Sequence, residues 1–171
     1  GGNLKGIEVS GAIEIGRLIP ALDGFGFTGS YSYTEADLNP TDTNDVVRIP
    51  GLSGTVYNIT GYFEKWGFQA RASYRFRSAF KGETVQLFTN RGYTEILADK
   101  QLDAQIGYSF PDSSALKGLG ILLQVSNVTD SPYRTRLGLD AGGTHTTDGT
   151  PLPETYEKYG RQFLLGLNYR F

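Results

Sequence analysis

The chain has 171 residues, with 16 basic and 18 acidic side chains, no cysteine, no methionine and a single histidine. A formal charge of −2 offers no basic surface to a phosphate backbone, so we expect no nucleic-acid partner. The lack of cysteine excludes disulfides and thiolate metal sites, and no apolar run reaches the roughly 20 residues of a spanning helix. The 23 glycines, 11 tyrosines and 10 phenylalanines are typical of strands and turns, and they predict an all-β chain.

Seven segments of the chain alternate apolar with polar side chains, as a strand with two different faces does. Gly61 interrupts the apolar face of the third segment, and Leu122 lies on the polar face of the sixth. From residue 163 onward the last segment alone covers about 20 Å of membrane normal, at a rise of roughly 3.3 Å per residue and a tilt of about 40°. We therefore predict about seven antiparallel, up-and-down transmembrane β-barrel strands, at residues 7–15, 25–34, 57–63, 68–77, 102–110, 119–128 and 159–171.

The connectors between these segments alternate in length. Short links at residues 19–24, 64–67 and 111–118 alternate with long polar ones at 36–51, 78–100 and 129–157. Bacterial outer-membrane barrels have short periplasmic turns and long extracellular loops. All seven prolines lie in the connectors, where a missing N–H breaks no strand ladder. The alternation predicts a barrel wall with its long loops outside the cell.

A soluble β-sandwich or a lipocalin-like barrel would also alternate with a period of two. Its core, however, would have to bury the row formed by Arg71, Arg75 and Arg77, which suits a watery lumen better than a packed interior. Aromatic residues near the ends of the segments suit the two interfaces of a membrane. We therefore favour the membrane barrel.

The strand count predicts an incomplete barrel. Counting back from a periplasmic Phe171 places Gly1 outside the cell, whereas a complete single-chain barrel has an even number of strands and both ends in the periplasm. Seven strands would also leave two edges unpaired in lipid. The remaining strands are expected from the rest of the same polypeptide or, as the less favoured alternative, from other chains of an oligomeric barrel.

Three stretches resemble the TonB-dependent receptors of the Gram-negative outer membrane. They are Gly-Asn-Leu-Lys-Gly-Ile-Glu at residues 2–8, Ser-Asn-Val-Thr-Asp-Ser-Pro-Tyr at 126–133 and Gly-Leu-Asn-Tyr-Arg-Phe at 166–171. Residues 50–80 also resemble a proteobacterial branch with many carbohydrate-directed members. The resemblance implies that residues 1–171 are the C-terminal portion of an outer-membrane barrel of about 22 strands, with the plug domain absent.

The resemblance also implies a function in transport rather than catalysis. Such receptors import a scarce nutrient, powered by the inner-membrane TonB complex through a TonB box and a plug that precede the barrel. Carbohydrate is slightly favoured over a siderophore as the nutrient; a passive diffusion porin is the alternative, and an outer-membrane hydrolase is less favoured. Expected partners are outer-membrane lipid and lipopolysaccharide, the barrel-assembly machinery, the plug and N-terminal strands of the receptor, TonB and a small-molecule nutrient. No cofactor is expected.

Five polar residues are candidates for the lumen-facing side, namely Arg71, Arg75, Arg77, Asp103 and Gln105. The dielectric constant in a confined pore is low, so such a row of charges would interact strongly with an anionic solute or with acidic plug residues. The favoured interpretation is that the arginines pair with Glu or Asp on neighbouring strands and on the plug.

The last strand resembles the assembly signal that the barrel-assembly machinery recognises, and edge pairing is the physical basis of such recognition. Its candidate residues are Gly166, Tyr169 and Phe171, the terminal glycine and alternating aromatics of the family pattern. Leu164 departs from the polar residue often found two positions before that glycine.

The long connectors hold the remaining candidates. His145 could serve a Ser-His-Asp hydrolase, but no nucleophile motif accompanies it. Tyr93, Tyr133 and Tyr156 could stack on a sugar, but aromatic loops serve siderophore receptors equally. An acidic cluster offers oxygen ligands for calcium but lacks the EF-hand spacing and its distal glutamate, so a solvated loop is favoured and no metal site is predicted. The cluster consists of Asp37, Asn39, Asp42, Asn44 and Asp45.

Overall fold

The computed structural model describes residues 2–38, 49–85, 91–137 and 152–170. Within these ranges the chain forms eleven strands and two short 3-10 turns. No helix in the described ranges, including the two 3-10 turns, is long and apolar enough to cross a membrane. The chain is all-β, as its composition predicts.

The described strands form two sheets, and all paired strands are antiparallel. In chain order they are β1 (Gly2–Glu14), β2 (Phe25–Leu38), β3 (Thr55–Lys65), β4 (Phe68–Arg77), β5 (Phe80–Val85), β6 (Arg91–Ile96), β7 (Asp99–Ser109), β8 (Leu119–Ser126), β9 (Tyr133–Leu137), β10 (Pro153–Glu157) and β11 (Gln162–Tyr169). The 3-10 turns, Ile15–Arg17 and Pro20–Leu22, both lie between β1 and β2.

The main sheet consists of the seven strands that the sequence predicts, in the order β1-β2-β3-β4-β7-β8-β11. Its short connections join strands at one end, and its long connectors leave from the opposite end. The last strand begins at Gln162 rather than at the predicted Tyr159. Gly160, with a φ of 77°, interrupts the extended chain just before it.

The strand register places apolar residues beside apolar residues across the main sheet. Among the described residues no hydrophobic side chain is buried, so the sheet is a single layer without a core of its own. Such a wall is stable where lipid covers the apolar face and water covers the polar face. One apolar row of paired residues crosses the sheet through Phe27, Gly61, Ala72, Ala104, Val125 and Phe163.

Aromatic rings gather at both ends of the apolar face. At the end with the short connections, the ring centroids of Phe25 and Phe63 lie 4.6 Å apart. At the other end, the ring of Tyr57 lies 6.0 Å from that of Tyr74 and 4.9 Å from that of Phe76. The two bands fit the two membrane interfaces, where barrels carry aromatic girdles.

The tight turn between β3 and β4 exposes an indole ring. Trp66 and Gly67 both take positive φ values, 55° and 79°. A Cβ atom on Gly67 would lie 2.4 Å from the carbonyl oxygen of Ser109, so a larger residue would push β7 away. Trp66 is 78% exposed, and Lys65 Nζ lies 4.5 Å from its ring centroid. This position suits an interfacial anchor.

The outer sheet, β10-β9-β6-β5, is built from two long connectors, and the sequence does not predict it. Its strands have only five or six residues, so they alternate too briefly to give a clear signal. In β10, Pro153 and a register shift between Pro153 and Thr155 also break the alternation. Two of the three connectors predicted as long polar loops, at residues 78–100 and 129–157, therefore carry a second sheet at the long-connector end of the wall.

Candidate functional site

The five predicted lumen-facing residues lie on one face of the main sheet. Arg71, Arg75 and Arg77 belong to β4, and Asp103 and Gln105 belong to β7. The register pairs Arg71 directly with Gln105, and the alternation along each strand puts the other three on the same side. The structure thus groups these residues on the polar face.

Arg71 and Arg75 pair with carboxylates, as the favoured interpretation of the row expects. Arg71 Nη2 lies 3.4 Å from Glu64 Oε1, and Arg75 Nη2 lies 3.8 Å from Asp99 Oδ2. Arg75 also donates a hydrogen bond to Gln101. All these ion-pair side chains are about half exposed, so solvent screens the pairs and they contribute little to stability. Both arginines can therefore exchange partners at low cost.

Arg77 differs from the other two arginines because it anchors a connector. Its Nε donates to Ser53 Oγ at 2.6 Å, and its Nη2 donates to the carbonyl oxygen of Gly51 at 3.0 Å. The guanidinium carbon lies 3.8 Å from the ring centroid of Phe80. Arg77 therefore holds the connector that precedes β3 against β4 and β5. The alternation alone could not distinguish this structural role from that of its neighbours.

Asp103 supports the base of the last long connector. Its Oδ1 accepts a hydrogen bond of 2.9 Å from the backbone N–H of Asn127. Asn127, with a φ of 54°, donates from Nδ2 to the carbonyl oxygen of Gly160 at 3.1 Å and accepts at Oδ1 from the N–H of Ser131 at 2.9 Å. Residues 127–131, which we call the Asn127 turn, thus join β7 and β8 to the chain that leads into β11.

An ion pair closes the Asn127 turn. Lys158 Nζ lies 2.7 Å from Asp130 Oδ2, and this hydrogen bond raises the pKa of Lys158 above its ordinary value of 10.5. Because the pKa of Lys158 is raised, the stabilisation that its charge gives to the folded turn is fully present below pH 10.5. It is lost only as the pH rises through the raised pKa. Arg161 Nε also donates to the carbonyl oxygen of Val128 at 2.8 Å. The closure therefore persists across the neutral range.

A cleft of about 620 Å³ lies on one face of the outer sheet. Phe80 and Ile96, which pair directly across β5 and β6, contribute apolar surface to it. Tyr133 and Glu157, paired across β9 and β10, line it as well. Gly51, which Arg77 holds, borders the cleft beside β5. The cleft thus combines residues from three long connectors.

The opposite face of the outer sheet carries cationic side chains. Lys81, Arg134 and Arg136 alternate with cleft residues along β5 and β9. Arg136 forms an ion pair with Glu95, and this hydrogen bond raises the pKa of Arg136. The outer sheet therefore separates its basic face from the cleft.

The predicted stacking tyrosines do not act together. Tyr133 lines the cleft, but Tyr156 pairs with Arg134 on the opposite face, where it is 65% exposed. The side chain of Tyr93 lies outside the described part of the chain. Glu154 also lines the cleft, and the sequence does not predict it because β10 shows no regular alternation.

Two of the three predicted assembly residues, Gly166 and Tyr169, lie in β11, which pairs with β8 at one edge of the main sheet. Gly166 lies opposite Leu122, and Tyr169 lies opposite Leu119. Leu122 is the apolar residue on the polar face. Its partner on each neighbouring strand is a glycine, Gly166 on β11 and Gly107 on β7. Phe171 lies outside the described residues.

The histidine and most of the acidic cluster fall in parts of the chain that the structure does not describe. In the described ranges, no group of three or more His, Asp or Glu residues could hold a metal ion. The residues outside the description are His145, Asn39, Asp42, Asn44, Asp45 and the side chain of Asp37.

The comparisons with known proteins agree with this architecture. The family described as TonB dependent receptor-like, beta-barrel matches residues 1–128. The chain belongs to this family. TonB-dependent receptor barrels are transport proteins of the outer membrane and not enzymes, as the sequence predicts. The soluble-barrel and hydrolase alternatives therefore lose their support.

A solved structure shows the same fold. The crystal structure of the ferric citrate transporter FecA in its unliganded form matches the chain with a TM-score of 0.65 at 17% sequence identity. The match covers 98% of the chain and 24% of FecA, so the chain spans about a quarter of that protein's length. At this identity the likeness shows the fold alone. Comparison with curated proteins found no match.

Proposed function

We propose that the chain is the C-terminal part of the barrel of a TonB-dependent receptor, which imports a scarce nutrient with energy from the inner-membrane TonB complex. The main sheet carries this proposal. Its apolar residues form a continuous face across seven strands, and its other face carries arginines in exposed ion pairs. Lipid suits the first face and a wet lumen suits the second. The polar face then lines the lumen, where Arg71 and Arg75 meet plug or solute.

The rest of the receptor supplies the plug and the remaining strands of a barrel of about 22. In the described chain β1 and β11 each have a single neighbour, at the two edges of the main sheet. Backbone N–H and C=O groups at such an edge cannot remain unpaired in lipid. Additional strands that pair with β1 and β11 would satisfy these groups. The length of FecA relative to the chain supports the same arrangement.

Carbohydrate is the nutrient that we favour over a siderophore. Support comes from residues 50–80, which resemble the branch with many carbohydrate-directed members. Further support comes from Tyr133, which is exposed and lines the cleft of the outer sheet together with threonine hydroxyl groups. The long connectors, which carry the outer sheet, would capture the nutrient outside the cell.

Energy coupling is tested in a Gram-negative host that expresses the full receptor. We expect the cells to accumulate a labelled oligosaccharide when TonB is present and to lose that accumulation when TonB is deleted, because the pore is closed by a plug that only TonB moves. Equal uptake in both strains would instead identify a diffusion porin.

As a control for orientation, protease sites inserted into the long connectors should be cleaved on intact cells. Cleavage only after outer-membrane disruption would invert the proposed topology.

A further inference from the structure

Glu154 reaches the cleft because of a β-bulge. The register of β10 against β9 shifts between Pro153 and Thr155, and Glu154 is the extra residue. In a regular strand, Glu154 and Thr155 would point to opposite faces. A bulge re-aims a side chain, and here Glu154 and Thr155 both line the cleft. The bulge therefore places the Glu154 carboxylate on the cleft face. Regular alternation along β10 would have placed it on the opposite face.

Two buried hydroxyls hold this carboxylate. Glu154 Oε2 accepts a hydrogen bond of 3.1 Å from Thr135 Oγ1, and its second partner is Thr94 Oγ1, whose one proton is shared between Glu154 and the carbonyl oxygen of Arg136. Thr94 and Thr135 are each 6% exposed, so their positions are set by the outer sheet. A carboxylate has about four lone-pair sites, and two threonine donors do not exhaust them. Glu154 is thus oriented before a ligand arrives and retains acceptor capacity, which lowers the cost of binding.

The charge of the cleft disfavours anions. Its described lining contains two carboxylates, Glu154 and Glu157, and neither Lys nor Arg. The cations of the outer sheet lie on the other face, as Arg134 and Arg136 do. A carboxylate-rich or phosphorylated ligand would meet like charge, and no described lining residue supplies a cation to compensate it, which costs binding energy.

The rest of the lining suits a sugar. Tyr133, 39% exposed, presents an aromatic ring beside the apolar surface of Phe80 and Ile96. A sugar ring has apolar C–H groups that pack on an aromatic face, and its hydroxyls both donate to carboxylates and accept from hydroxyls such as that of Thr155. An organic ammonium ion only donates, so it would use the carboxylates but not the donor capacity of the Thr155 hydroxyl.

We propose that this cleft binds an uncharged, hydroxyl-rich ligand of the oligosaccharide class, with Tyr133 as the stacking surface and Glu154 as the main acceptor. The proposal rests on the proposed function, because it names the nutrient class that the receptor captures. A volume of about 620 Å³ lies within the range of roughly 300–1,000 Å³ typical of small-molecule sites.

The test is calorimetric binding to the full receptor, purified in detergent. The probes are maltotriose, cellotriose, xylotriose and triacetylchitotriose as neutral ligands, ferric citrate as an anion and spermidine as a cation. We expect at least one neutral probe to bind and the two charged probes not to bind. Tyr133→Ala should weaken that binding about tenfold because it removes the stacking contact. Glu154→Gln should weaken it by about the same factor because it removes a charge-assisted hydrogen bond. Tyr156→Ala, on the opposite face, should leave the affinity unchanged.

Tyr133→Phe keeps the ring and should bind nearly as well as the unchanged receptor, so it remains informative if Tyr133→Ala fails to fold. The proposal is overturned if no neutral probe binds, if ferric citrate or spermidine binds in its place, or if the Tyr133 and Glu154 variants bind as tightly as the Tyr156 variant. The assay contains no TonB, so it is independent of energy coupling. Sugar binding without TonB-dependent uptake would refute the proposed function alone, and TonB-dependent uptake without binding in the cleft would refute this inference alone.

Discussion

Asn127 combines two properties that few residues offer together. Its φ of 54° lies in the left-handed region, which asparagine tolerates better than most side chains. Its amide both donates and accepts, and it does so with Gly160 and Ser131. The residue thus lets the chain turn at the end of β8 and also ties the returning chain to that turn. Asp103 then fastens the backbone of Asn127 to β7.

Replacing Asn127 with Ala should loosen the connector between β8 and β11. Each partly buried hydrogen bond that is lost costs about 1–2 kcal/mol, and the positive φ adds strain for alanine. We expect faster proteolysis of this connector in the full receptor, measured on intact cells. Asn127→Gly separates the two causes, because it keeps the backbone conformation and loses only the side-chain bonds. Thr129→Ala, which removes only an exposed hydroxyl contact with Ser131 from the same turn, is the matched control. A variant at Asn127 that resists protease as well as this control would contradict the assigned role.

The strand pattern predicts the polar row but not the different roles of the residues within it. Alternation along β4 and β7 shows which residues share a face, and that grouping is correct for Arg71 and Gln105. It carries no information on residues far apart in the chain. The contact of Arg77 with Ser53 and that of Asp103 with Asn127 each link segments that meet only after folding. Such roles could not be predicted from the strand pattern.

At the scale of the strand, the register decides which substitutions the membrane tolerates. Ala104 occupies the apolar row, between Ala72 and Val125 on the neighbouring strands. Gln105, the next residue, lies on the polar face opposite Arg71. Two adjacent positions in the same strand therefore face different media.

Ala104→Arg should impair the receptor far more than Gln105→Arg. A cationic side chain on the lipid face near the middle of the membrane costs about 2–4 kcal/mol, whereas a lumen-facing position is hydrated. The measurement is the amount of folded receptor in the outer membrane, read from its heat-modifiable mobility on a gel. Equal losses for both variants, or a greater loss for Gln105→Arg, would reverse the assignment of the two faces.

The two sheets differ in how well their sequences predict them. The seven wall strands are mostly long and separate lipid from water, so their alternation is strong and extended. The outer sheet separates no such media, and its strands are too short to show a period. Its central pairing of β6 with β9 also joins two different connectors. Only the folded wall, which brings the connectors together, makes that pairing accessible.

At the scale of the whole molecule, β11 is the edge where the proposed assembly signal acts. This strand has one described neighbour, β8, so its other side can template a partner strand. Gly166 and Tyr169 lie within it. The proposal is that the assembly machinery pairs with this edge before the barrel closes.

Substituting both Tyr169 and Phe171 with Ala should lower the yield of inserted receptor, because the machinery loses the aromatic part of its recognition strand. The measurement is the fraction of receptor in the outer membrane relative to the fraction degraded in the periplasm. Leu164→Gln restores the polar residue of the family pattern and should leave insertion equal or improved. Normal insertion of the double alanine variant would show that the signal lies elsewhere.

The outer sheet has a mechanical consequence for the connectors that form it. Gly51 donates a hydrogen bond of 2.7 Å to the carbonyl oxygen of Lys81, and β6 pairs with β9, so three connectors share one hydrogen-bonded network. No connector in this network can swing aside without breaking bonds to another. The three connectors would then move together, and a contact that displaces one of them would displace all three.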